Sequence, residues 1–240
     1  MSTKAIRPAF YALLLEHFYF WGATMLDHLH PEQMGMLERL PEDKHVFLLT
    51  RHSIREAAKG DIVSYKLPLT EDGVALARCW GKELSRPLHR VYSSPVGRCI
   101  DTANHMLSGA EHEASIEMDM MLTEPGCYVQ DLSKAGPVYL SEGPRGFINK
   151  HINEAIEGTI SAAQGTQRLL QLMYENVGLP GQMSLFVTHD TVLATFIYYL
   201  FGEESVTEEH WPWMMEGAFL WFDEGEVHWL WRGRYANKVL

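Results

Sequence analysis

The 240-residue sequence has no C-x-x-C pair, no low-complexity tract, no internal repeat and no apolar run near the roughly 20 residues that a membrane helix needs. Its three cysteines, Cys79, Cys99 and Cys127, are odd in number and widely spaced, which argues against zinc or redox pairing and points to a reducing cytoplasm. Positive charge is scarce too. With 20 Lys+Arg against 31 Asp+Glu, the net charge of −11 argues against broad binding to nucleic acid or to an anionic membrane, so any anion site must be local. No linker divides the chain, and 46% hydrophobic residues suffice for a large core. We read one domain over residues 1–240, with residues 1–44 as an N-terminal helical extension and residues 127–150 as a cap or surface insertion. Residues 1–15 faintly suggest a signal peptide, but Glu16 and His17 interrupt it; residues 8–25 read instead as an aromatic-rich helix.

What is present is organised around Val46-Phe47-Leu48-Leu49-Thr50-Arg51-His52-Ser53-Ile54-Arg55. A buried strand of this type runs straight into two arginines bracketing a histidine, and so delivers them to the end of a sheet. A loop over residues 56–65 follows. Thr70 then reads as the N-cap of an amphipathic helix carrying Val74, Ala75, Leu76, Trp80 and Leu84. Residues 89–94 form a short strand, and a helix begins near Arg98, so strand, helix, strand, helix predicts a parallel arrangement. Residues 115–122 read as another strand. Residues 127–146 are rich in Gly, Pro and Ser and lack periodicity, residues 152–177 read as helical, and Met183-Ser184-Leu185-Phe186-Val187-Thr188 repeats the opening theme, ending at His189-Asp190 before an apolar helix through Leu200. Residues 218–223 and 226–232 suggest a hairpin around Glu224-Gly225, with Trp211, Trp213, Phe219, Trp221, Trp229 and Trp231 spaced as strand side chains.

Thr50-Arg51-His52-Ser53-Ile54-Arg55, Leu69-Thr70-Glu71-Asp72-Gly73, Ser93-Ser94-Pro95-Val96-Gly97-Arg98 with Asp101-Thr102-Ala103, and Thr188-His189-Asp190 together resemble the histidine phosphatase superfamily, in matching order over about residues 46–200. The resemblance implies an α/β three-layer sandwich of phosphoglycerate mutase-like type, its mostly parallel central sheet flanked by helices, with a small cap and a C-terminal hairpin. It assigns His52 as nucleophile and sets Arg51, Arg55, Arg98 and His189 around the phosphate. Arginine suits that task physically, because phosphoryl transfer is catalysed by positioning and by donors aimed at charge spread over oxygens. A histidine attacks only through an unprotonated ring nitrogen, so His52 needs its other nitrogen held by an acceptor, and a nearby backbone carbonyl is the one expected.

For the proton donor the family's branches offer two positions, Glu124 in the loop after the third strand or Asp190 beside the second histidine; the Leu-Thr-Glu-Asp-Gly helix start and the short His52 to Arg98 spacing favour Glu124. Where the family usually has glycine after the nucleophile this chain has Ser53, which adds a Cβ and a hydroxyl at a close approach. His28 with His30 and His105 with His112 lack the carboxylate or cysteine partners of a metal site, so no metal and no cofactor are expected. The expected activity is that of a metal-independent phosphomonoesterase working through phosphohistidine on a small phosphorylated molecule, without nucleic acid or membrane, and with a homodimer left open. A phosphomutase of the same fold, and a phosphate-binding module whose catalysis Ser53 has impaired, are the alternatives.

Overall fold

The computed structural model describes residues 25–57, 66–124 and 126–240. The helix expected at residues 8–25, apart from its last residue, and residues 58–65 of the expected loop lie outside this set. In chain order come a short helix α1 (Glu32–Gly35), strand β1 (Val46–Arg51), helix α2 (Glu71–Glu83), β2 (Leu88–Ser93), α3 (Gly97–Gly109), β3 (Ile116–Met118), α4 (Leu132–Asn153), α5 (Ala162–Tyr174), β4 (Met183–Thr188), α6 (Asp190–Phe201), and strands β5 (Gly217–Asp223), β6 (Glu226–Trp231) and β7 (Arg234–Val239).

The strands form one sheet in the order β3-β2-β4-β1-β5-β6-β7. Strands β3, β2, β4 and β1 run parallel, β5 is antiparallel to β1, and β5 to β7 form an antiparallel meander. Alternation explains the three layers. Phe47 and Leu49 face a core shared with Leu169 and Leu170 of α5 and Val192 and Phe196 of α6, whereas Val46 and Leu48 face a second core shared with Leu76 and Trp80 of α2 and Met106 of α3. A strand buried on both faces must be apolar throughout, as β1 and β4 are except where their polar residues serve the strand ends.

The expected α/β sandwich is therefore present, with differences of detail from the expected elements. The fourth strand in sequence inserts between the first two, so that both of its hydrogen-bonding edges are paired, with β1 and with β2, while the two cores cover its faces. Residues 127–146, expected to lack periodicity, lie largely in α4, which breaks at Gly143 (φ 69°, ψ 173°) and restarts at Pro144. Proline at the start of a helical segment forfeits no hydrogen bond, and Phe147, Ile148 and His151 then bury one face. The single helix expected at residues 152–177 is interrupted, and α5 starts anew at a Ser161 capping box closed by Gln164. The expected third strand is only Ile116–Met118, and the expected hairpin gains β7 through a turn in which Arg232 (φ 48°) and Gly233 (φ 71°) both adopt left-handed backbone.

Candidate active site

Register alone brings the two histidines together. Arg51 of β1 pairs with Thr188 of β4, so His52 and His189, each the next residue, leave the sheet side by side, with rings 5.5 Å apart at 73°. The His52 amide extends the ladder to the Thr188 carbonyl (2.9 Å). On the other side of β4, Ser93 pairs with Val187, and the Ser94 amide donates to the Val187 carbonyl (2.9 Å), which brings Ser94 beside His189.

The hydrogen bonds fix both tautomers, because a guanidinium can only donate. Arg98 Nε donates to His52 Nε2 (2.9 Å), so the proton of that ring sits on Nδ1, which donates to the Ser53 carbonyl (2.8 Å). This is the carbonyl tether expected for a nucleophile. Arg98 Nη2 donates to His189 Nδ1 (3.0 Å), leaving His189 Nε2–H to donate to Ser94 Oγ (3.0 Å). One guanidinium thus bridges two neutral imidazoles, and its remaining nitrogen, Nη1, is buried without a partner among the described residues. Burial first, then the Arg51 and Arg98 charges, hold His52 well below the ordinary histidine range. The same causes, burial and then Arg98, push His189 down to about 3.

Arg51 is less available than three converging arginines would require. Its guanidinium is paired with Asp190 (2.6 Å) and donates to the Pro212 carbonyl. Arg55, half-buried, donates to the Glu56 carbonyl (2.9 Å) and reaches the cluster only through its charge, which acts on Arg98 and His189. The positive charge that Arg51, Arg55 and Arg98 bring together is therefore already partly neutralised at Arg51, and the buried donors without a partner among the described residues are Arg98 Nη1 and Arg51 Nε.

The two candidate proton donors sit in different environments. Asp190, the first residue of α6, accepts from Arg51, from the Thr191 amide (2.9 Å) and from Trp211 Nε1 (3.3 Å). Glu124 accepts at Oε1 from the Tyr139 hydroxyl (2.6 Å). Burial and the nearby Asp190 charge raise the Glu124 carboxyl above its ordinary range, against the lowering influence of Tyr139, Thr191 and Arg98.

Ser53 fits where a glycine was expected. Its backbone stays out of the left-handed region, so a Cβ adds no strain. Its amide donates to Thr102 Oγ1 (3.0 Å), and its hydroxyl donates to the Gly73 carbonyl (2.7 Å). Gly73 is the residue that must be small: a Cβ there would stand 2.0 Å from the Ile54 carbonyl oxygen, and its amide is the one capped by Thr70 Oγ1 (3.0 Å). The start of α2 is in this way clamped against the loop that carries His52.

Four residues around the site escaped the sequence reading as site residues: Ser94, Thr102, Tyr139 and Trp211. Ser94 and Thr102 lie inside the motifs named above, and Trp211 lies in the aromatic series read as strand side chains, although it precedes β5; nothing local marks Tyr139, which arrives through tertiary packing. Among the described residues no group of three or more His, Cys, Asp or Glu side chains converges as metal ligands would, and no helix is long and apolar enough to cross a membrane.

The profile of the histidine phosphatase superfamily (branch 1) matches residues 47–222. No curated protein sequence matches the chain. Among solved structures, YhfR of Bacillus stearothermophilus is similar at 21% identity and TM-score 0.52, covering 80% of this chain and 98% of its own. A protein described as mycobacterial hydrolase 1 is similar at 19% identity and TM-score 0.51, covering 81% of this chain and 96% of its own. At these identities the likeness speaks for the shared fold.

Proposed function

The chain belongs to the histidine phosphatase superfamily, and from that premise we propose that it is a metal-independent phosphomonoesterase that passes the phosphoryl group of a small phosphorylated substrate first to His52 and then to water. The observation that carries this reading is the state of His52, neutral, with Nδ1–H tethered to the Ser53 carbonyl and the Nε2 lone pair turned toward Arg98.

An arriving phosphate competes for Arg98. Its oxygens are better acceptors than an imidazole nitrogen, so they draw the guanidinium, including the unpartnered Nη1, and release Nε2 for attack. Nε2 bonds to phosphorus as the bond from phosphorus to the leaving oxygen breaks, and the leaving oxygen takes its proton from Glu124. Water then attacks phosphorus, giving a proton back to Glu124, and the bond to Nε2 breaks to restore His52. Arg98 and His189 face the charge that develops, and Asp190 holds Arg51 while its own charge helps Glu124 keep a proton to give.

Hydrolysis rather than mutase chemistry is favoured by the cap. Lys134 and Arg145, the lysine and arginine of residues 127–146, are engaged by Glu157 (2.7 Å) and Glu208 (3.3 Å), not aimed at a second phosphate. The Ser53 bonds favour a working nucleophile over an impaired one, since they brace the loop without touching His52 Nε2. The test is turnover of an aryl phosphate by His52→Ala with and without chelator. The expected result is a loss of roughly 10³ or more in that variant with its fold intact, and no effect of chelator on the wild type. Full activity in the variant, or a wild type silenced by chelator, overturns the reading.

A further inference from the structure

Glu124 and Tyr139 belong to different parts of the molecule. Glu124 lies in the turn after β3, whereas Tyr139 lies in the first half of α4, and the phenol crosses to Oε1 at 2.6 Å. The Tyr139 ring is itself held edge-on by Phe147 (5.5 Å, 64°), which comes from the far side of the Gly143 break. Phe147, Ala135 and Ile156 form a third hydrophobic cluster, apart from the two cores that sandwich the sheet, and Val129, Val138 and Tyr139 pack against it. The hydroxyl that meets Glu124 is thus carried by a small core of the cap's own.

We propose that Tyr139 is a positioning residue through which the cap orients the Glu124 carboxyl, by holding Oε1 so that the other oxygen exchanges the proton with the leaving group and with water. The inference rests on Glu124 being the acid of the proposed reaction. In the first half-reaction the proton leaves Oε2 for the departing oxygen, and the negative charge that appears on the carboxylate is met at Oε1 by the phenol, which keeps its own proton. In the second, a proton from the attacking water returns to Oε2.

The sign of the pH effect follows from the groups facing Glu124. Asp190 of α6 opposes ionisation, as burial does, whereas Tyr139 of α4, Thr191 of α6 and Arg98 of α3 favour the carboxylate. Removing the phenol deletes one stabiliser of the charged form, so Glu124 holds its proton to higher pH. The experiment is Tyr139→Phe, which keeps the ring that packs on Phe147, assayed across pH on an alkyl phosphate and on a nitrophenyl phosphate, alongside Glu124→Gln. The expected result is a roughly tenfold fall in the ratio of alkyl to nitrophenyl kcat/KM in Tyr139→Phe, with the descending alkaline limb of the alkyl profile moved to higher pH. Equal losses on both substrates, or an unmoved limb, while Glu124→Gln remains selective, overturn the role of Tyr139 and leave the acid in place. A Glu124→Gln variant that spares the alkyl rate overturns the acid, and this inference with it.

Discussion

The two ends of the proposed reaction are built in contrasting ways. Arg51, His52 and His189 issue from β1 and β4, each buried along its full length, hydrogen-bonded to neighbours on both sides and packed between two large cores. Glu124 sits in a turn, and its partner Tyr139 hangs from α4, packed against a cluster of three buried residues. A strand register admits no intermediate settings, because a slip of one residue turns every side chain to the other face. The nucleophile end is therefore set by the global fold, whereas the acid end is set by a local contact that opens at lower free energy.

Paired truncations in the two regions break this comparison most forcefully. Phe186, fully buried in β4 and stacked on Tyr92 (4.8 Å, 21°), belongs to the sheet core. Phe186→Ala is expected to cost about 3–5 kcal/mol of global stability, the range for a large ring deleted from a packed core. Phe147→Ala in the cap is expected to lower global stability by less, about 1–3 kcal/mol, while reducing the ratio of alkyl to nitrophenyl turnover. Chemical denaturation with both assays checks this. If Phe147→Ala destabilises the whole chain as much as Phe186→Ala does and leaves the ratio unchanged, the cap is no separate unit.

A smaller effect sharpens the contrast between the two carboxylates. Glu124→Gln is expected to cut the alkyl rate by roughly 10² or more and the nitrophenyl rate far less, because a good leaving group departs without a proton. Asp190→Asn weakens the ion pair that holds Arg51 and is expected to slow both substrates alike. If Asp190→Asn alone shows leaving-group selectivity, the acid lies on α6, at the other of the two positions that the family's branches offer.

The same contrast governs what the sequence could reveal. The β1 and β4 ends are legible because a short apolar run followed directly by Arg51-His52, or by His189-Asp190, needs no long-range information. The Thr70 cap is legible for the same reason, its partner Gly73 being three residues away. That β4 inserts between β1 and β2 depends on pairing between segments far apart in the chain, Val46 with Met183 and Leu88 with Met183, which no local period encodes. Helix α4 was hidden by Pro137, Gly143 and Pro144: the preference of Pro137 against helix is overcome, whereas Gly143 does break the helix and Pro144 restarts it, so that Phe147, Ile148 and His151 find a surface to bury against. The choice between Glu124 and Asp190 rested on the family's branches; structure adds that Asp190 is engaged by Arg51 and Glu124 is buried beside it. Ser53 read as a departure from glycine, and only tertiary structure shows its hydroxyl turned to the Gly73 carbonyl.

The most direct test of the account is to mix the protein with a labelled phosphomonoester, stop the reaction within a turnover under alkaline conditions that preserve phosphohistidine, and locate the label by peptide mapping and phosphorus NMR. The account predicts one phosphoryl group on His52, attached at Nε2 because Nδ1 is committed to the Ser53 carbonyl, and its absence from His52→Ala. Label on Nδ1 or on another residue, or turnover with no covalent label at any time, would contradict it.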